Sequence, residues 1–201
     1  MNQTDAMARA ARAKKVTWVG FWVNVVLSVA KIIAGIVGRS GAMIADGVHS
    51  ISDFVTDIIV IVFIGVSAKG ENTRFRYGHG KFETFATMLI SFALFAVAVG
   101  LFWTSFSQIV DALNGKVLPR PEMVALVMAF VSVVAKEWLF HYTRVAGEQM
   151  NSMALVANAW HHRSDAFSSI AVLVGIGCAM FLGERWRVLD PIAAATVSVF
   201  I

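Results

Sequence analysis

Little in this chain could tie a fold together covalently or keep it in water. There is one cysteine, Cys178, and it stands in an apolar run. That excludes a disulfide framework and a thiolate metal cluster, and leaves Cys178 as a small core residue. Charged residues are only 15% of the 201, against 58% hydrophobic, and the mean hydropathy is +0.70. A water-soluble domain of this size is rarely so apolar. The formal charge is +4, but the basic residues cluster between apolar runs instead of forming one basic face, so no nucleic-acid partner is expected. Proline is scarce, and Pro119 and Pro121 fall with Asn114-Gly115 in a single loop, 111–121. A cleavable leader is also missing. The polar, basic stretch 1–15 is followed by an apolar run too long for a signal h-region.

What the chain has in abundance is long apolar runs. Spans are expected at about 16–37, 42–67, 83–109, 122–142 and 152–182, each long enough to cross ~30 Å of hydrocarbon. Gly38-Arg39-Ser40-Gly41 reads as a tight turn, 69–82 and 144–150 as polar links, and 183–187 as a turn. A sixth run starts near Val188 and is still apolar at Ile201. Its helical rise of roughly 21 Å falls short of a crossing, so the expectation is a six-helix transmembrane bundle with its sixth helix truncated. Residues 1–15 form an N-terminal segment and 16–201 the transmembrane domain. With the N-terminus inside, the cytoplasmic segments carry the larger share of Lys and Arg, from Arg9 through Lys81 to Arg144, while the opposite loops carry Arg39, Lys116, Arg120, Arg185 and Arg187. This bias places the N-terminus in the cytoplasm, taken here as that of a bacterium with the chain in its inner membrane.

Ionisable residues inside these runs carry the chemistry. A charge at mid-bilayer costs roughly 2.5–3.5 kcal/mol on insertion scales, so it is retained for a partner, a cavity or a function. The second span holds Asp46, His49, Asp53 and Asp57 at spacings that make one helical stripe. His49 and Asp53 are four apart, which on a helix separates them by roughly 6 Å. The spacing recurs in the fifth span as His161 and Asp165, at similar depth. Two imidazoles and two carboxylates suit tetrahedral Zn²⁺. Mn²⁺ and Mg²⁺ prefer oxygen-rich sites, and Cd²⁺, Co²⁺ or Fe²⁺ are alternatives to zinc. Two carboxylates cancel a divalent ion, and after its release they repel, which gives a physical basis for exchange against protons.

Blander readings attach to most other polar residues. One His-x-x-x-Asp pair alone is as well explained by an internal hydrogen bond, but two at matching depth are not. His162 is turned by about 100° from His161 and points elsewhere. Arg163 faces a polar gap or neutralises Asp46 or Asp57. Asp57 is either an ion way-station or a structural partner for a cation. Lys31 is a counter-ion for Asp46, since an ammonium has no lone pair to give. Asn24 and Asn158 hydrogen-bond between helices in preference to supporting the site. Lys136 and Glu137 snorkel toward a membrane edge. His79, in the glycine-flanked stretch Tyr77-Gly78-His79-Gly80-Lys81, is a candidate surface ligand with only Glu71 and Glu83 nearby.

The segments 45–53, 77–83 and 158–165 resemble the cation diffusion facilitators, and the likeness extends over nearly the whole chain. The resemblance implies six transmembrane helices, a homodimer in the lipid bilayer, and proton-coupled export of zinc or a similar metal from the cytoplasm. It implies a transport site at His49, Asp53, His161 and Asp165, with the metal as cargo and no separate cofactor. Lys81 is similar to a lysine that holds dimer halves together. Asn72 and Phe75 stand where some members carry an Asp and a second His, which weakens a further zinc site at His79. Members usually continue into a cytoplasmic metal-sensing domain, which is not in this chain. The alternative is a membrane-embedded metal enzyme using the same cluster, but His-Glu-x-x-His and Glu-x-x-His signatures are absent.

Overall fold

A computed structural model describes residues 3–52 and 80–201. Among the described residues the chain is all-α with no strand. The helices are α1 (Gln3–Val37), α2 (41–52), α3 (Gly80–Leu113), α4 (Met123–Gln149), α5 (Met153–Phe181) and α6 (Leu189–Ser198), with a 3₁₀ turn at Glu184–Val188. Among the described residues four segments are long and apolar enough to cross a membrane: Lys15–Val37, Ser91–Leu113, Met123–Gln149 and Leu155–Phe181. The chain is an integral membrane protein. The part of the second span beyond residue 52, and the link 69–82 up to residue 79, lie outside the described residues.

Several boundaries differ from the sequence reading. The segment 144–150 is not a link, because α4 continues through it to Gln149. Its polarity marks a membrane edge, not a break, and Arg144 pairs with Glu148 one turn on at 2.8 Å. The real reversal is Met150 to Ser152, where Asn151 takes φ 49° and Ser152 Oγ caps α5 by accepting from Leu155 N–H. Similarly, α1 starts well before its apolar run, and α3 reaches Leu113.

The loops 38–40, 114–122 and 182–188 meet at one end of the bundle. Glu122 N–H donates to Gly38 O at 2.8 Å, and Arg187 Nη1 donates to Leu118 O at 2.9 Å. That is the alternation six spans require. Asp190, in the first turn of α6, completes this end. It accepts from Ser40 Oγ at 2.5 Å and from Gly41 N–H at 2.8 Å, while Ser40 Oγ accepts from Met43 N–H. The buried Asp190 thereby satisfies donors that the start of α2 leaves open and offers negative charge to its dipole.

Above this cap the helices pack through small residues. Ala34, Ala42, Ala45, Ala125, Ala129 and Ala194 are buried with Met43, Val172 and Ile176. Lipid is as apolar as leucine, so close approach, not dehydration, holds such helices together. α1 and α2 approach closely at two glycines. A Cβ on Gly35 would sit 2.7 Å from Ile44 Cγ1, and one on Gly47 2.7 Å from Ile32 Cγ1. This contact brings Asp46, next to Gly47, against α1.

Asp190→Ala is expected to lower stability by ~1–3 kcal/mol, because it leaves a buried hydroxyl and amide without an acceptor. Thermal unfolding in detergent, compared with Asp111→Ala at the exposed Lys116 pair, checks this; a surface pair is worth ~0–1 kcal/mol. Equal midpoints for the two variants would discount the cap.

Candidate functional site

The buried faces of α4 and α5 set the polar interior. On α5 the residues Ala159, His162, Asp165, Ala166, Ser169, Val172 and Ile176 are buried, a stripe of helical period. On α4 the buried set is Ala125, Ala129, Ser132, Lys136, Leu139, Phe140, Thr143 and Gly147. The two helices pack extensively on each other, so the polar members of both stripes meet.

Two lysine–carboxylate pairs result. Lys31 Nζ of α1 lies 2.8 Å from Asp46 Oδ2 of α2, both fully buried. The same ammonium donates to Ser50 Oγ at 3.1 Å and Ser169 Oγ at 3.3 Å. Ser169 Oγ in turn donates to the Asp46 carboxylate, with both oxygens at 3.2 Å, and sits 3.4 Å from Ser132 Oγ. The second pair is Lys136 Nζ to Asp165 Oδ2 at 2.7 Å, with side chains 2% and 8% exposed. Lys136 therefore does not snorkel. It follows the small-residue face of α4 inward, while Glu137, turned by about 100°, stays outside and pairs with His141 at 3.2 Å.

The other predicted residues separate as follows. His161 Nε2 is 3.9 Å from Asp165 Oδ1, and its side chain is 45% exposed, at the margin of the stripe. His49 is half-buried on α2. Asp53, Asp57 and His79 lie outside the described residues. Among the described residues no three His, Cys, Asp or Glu side chains gather at metal-binding distance. Register nevertheless brings His49 level with Asp165. Asp46 and Ser169 touch, the helices run antiparallel, and His49 is three residues on from one while Asp165 is four back from the other. At a rise of ~1.5 Å per residue the two stand at nearly the same height.

Two readings of neighbouring residues change, while His162 points away from His161 as its offset implied. Arg163 does not neutralise Asp46, which Lys31 already does. Its guanidinium stacks instead over Phe140 at 4.7 Å and Trp160 at 5.4 Å, keeping its charge against aromatic faces. Asn158 does not reach between helices; its Nδ2 lies 3.5 Å from His162 Nε2 one turn along α5. His162 is buried and points toward α1, where a Cβ on Gly20 would be 3.6 Å from Nε2. The role of Lys136 was missed because it is adjacent to Glu137. The signal was there in the spacing, since Lys136 is four residues after Ser132 and four before Phe140, on the face of α4 that also carries Ala125 and Ala129.

Comparison with known proteins adds to this geometry. Residues 17–201 match the cation efflux transmembrane domain. The chain is 36% identical over 203 residues to metal tolerance protein C1 of Arabidopsis thaliana, covering 94% of this chain and 42% of that protein. It is 34% identical over 200 residues to the manganese efflux system protein MneP of Bacillus subtilis, covering 98% and 66%. It is 33% identical over 210 residues to mitochondrial metal transporter 1 of Saccharomyces cerevisiae, covering 93% and 40%. The chain thus spans about half the length of such relatives. A match over nearly the entire sequence, with paired polar stripes on α2 and α5, makes this chain a member of the cation efflux, or cation diffusion facilitator, family.

Proposed function

We propose that the chain is the membrane domain of a secondary transporter that exports a divalent metal ion from the cytoplasm. What supports this reading is the Asp46–Ser169 contact, from which helical rise sets His49 and Asp165 at nearly the same height, with His161 3.9 Å from Asp165. Asp53 follows His49 by four residues and is the fourth proposed ligand. A set of two imidazoles and two carboxylates favours Zn²⁺, with Cd²⁺, Co²⁺ and Fe²⁺ as related cargoes. The manganese in the name of one relative makes Mn²⁺ the comparison to run. Metal release leaves carboxylates in an apolar surround, and proton uptake then offsets their charge, so export runs in exchange for protons. The N-terminus is cytoplasmic, at the inner membrane in a bacterium, and two copies form the working unit. Transport proceeds by rocking of helices around the fixed site.

The test is metal flux into vesicles carrying the full-length protein, with zinc and manganese in parallel. Asp53→Ala and Asp165→Asn are expected to lower zinc flux at least ~100-fold, in line with loss of a ligand held in fixed geometry. Undiminished flux in either variant removes that residue from the site. Collapsing the proton gradient is expected to stop metal accumulation against its own gradient; indifference to it would sink the exchange.

The Lys31–Asp46 pair is read as an anchor, not a ligand set. Removing one partner strands a buried charge, and Lys31→Met is expected to cost ~3–5 kcal/mol, whereas the double variant Lys31→Met/Asp46→Leu recovers most of that. Thermal stability of the two variants decides it. A double variant as unstable as the single one would mean that the carboxylate serves another partner.

A further inference from the structure

Lys136 is the buried charge that the transport reading leaves unused. Its ammonium sits 2.7 Å from Asp165 Oδ2, an oxygen of a proposed ligand, while Oδ1 of the same carboxylate faces His161. Among the described residues the other interior cation, Lys31, is already matched to Asp46, so each lysine has its own acid. The pair also sits beside a second set of acceptors. Ser132 is one turn from Lys136 on the same face of α4, Ser169 is one turn from Asp165 on α5, and their hydroxyls are 3.4 Å apart. A four-carbon stem moves its head group over several ångströms without backbone change, and a compact ammonium accepts hydroxyl oxygens as partners.

We propose that Lys136 is a built-in competitor of the transported metal, a tethered cation that holds Asp165 in the metal-free site and yields it when the metal arrives. This rests on Asp165 being a ligand. A divalent ion bound through Asp165 would lie within a few ångströms of the ammonium, and like charges so close in an apolar interior repel strongly. Binding therefore drives the ammonium off Asp165 toward Ser132 and Ser169. On release the ammonium returns and restores the pairing of the buried carboxylate. Lys136 thus acts as a positioning residue that sets how tightly the site holds its cargo and how readily it lets go.

The experiment uses the full-length protein, purified for zinc titration and reconstituted for flux, with manganese in parallel. Lys136→Gln removes the competitor and is expected to bind zinc ~10-fold or more tightly. The same variant should show a lower KM and a slower maximal flux, a split that a merely structural residue would not produce. Lys136→Arg keeps the charge and offers two parallel N–H bonds to the carboxylate. It is expected to bind zinc several-fold more weakly than the unaltered protein, and this decides the matter if Lys136→Gln does not fold. Zinc affinity that is unchanged or weaker in folded Lys136→Gln, or equal or tighter in Lys136→Arg, overturns the inference. Asp165→Asn separates the two layers: zinc affinity preserved there defeats the transport site and this inference together, whereas affinity lost there but unmoved by Lys136→Gln defeats only the competitor.

Discussion

A charge inside an apolar bundle must have its opposite within reach, and α5 is where this requirement is met. Asp165 takes Lys136 from α4, and Ser169, one turn away, takes part in the Lys31–Asp46 pair from α1 and α2. Isolated, each of these ions would cost several kcal/mol to hold away from water. Paired, they tie four helices to one another at defined heights. The pairs supply register more than stability: sliding α5 by one residue against α2 and α4 would turn Ser169 away from Asp46 and Asp165 away from Lys136. The geometry of any site on these helices is inherited from that register.

The same helices divide into two unequal halves. Toward the loops 38–40, 114–122 and 182–188 the described interior is packed with alanines around Val172 and Ile176, and pinned by Asp190. Toward the other end the described interior is hydroxyls, lysines and carboxylates, with His161 at the margin of the α5 stripe.

The number and type of helices were legible because long apolar runs have few alternatives. Which face of each helix looks inward was not, and the reason is the solvent. In a bilayer the outward face is as apolar as the core, as the exposed Trp22, Val26, Ile33, Phe95 and Trp103 show, so hydrophobic contrast carries no direction. Direction survives only in polar residues and in small ones. The acidic stripe of α2 could be read for that reason, and Lys31 could be matched to Asp46 on charge alone. Lys136 was misplaced because an adjacent glutamate made the pair look like a membrane edge, although neighbours on a helix face different ways. Asp190 drew no attention because its partner, the start of α2, is 149 residues away in sequence, and a cap supplied from so far leaves no local pattern. The 144–150 segment was cut from α4 because polarity was taken for a loop, when Arg144 and Glu148 mark a helix leaving the membrane.

Counting Lys136 changes the charge of the proposed site. Two carboxylates and two neutral imidazoles alone would cancel a divalent ion and leave the loaded state neutral. With an ammonium on Asp165 when the site is empty and beside it when loaded, the loaded site carries an excess positive charge and the empty one a smaller negative charge. Low dielectric magnifies both effects. A resident metal cofactor would be poorly served by such an arrangement, since a permanent ion gains from every negative charge around it. A passing cargo is served well, because it must bind strongly enough to enter and weakly enough to leave. A lysine kept inside the bundle at the cost of its own desolvation, and placed on a proposed ligand, fits an ion that is meant to move on.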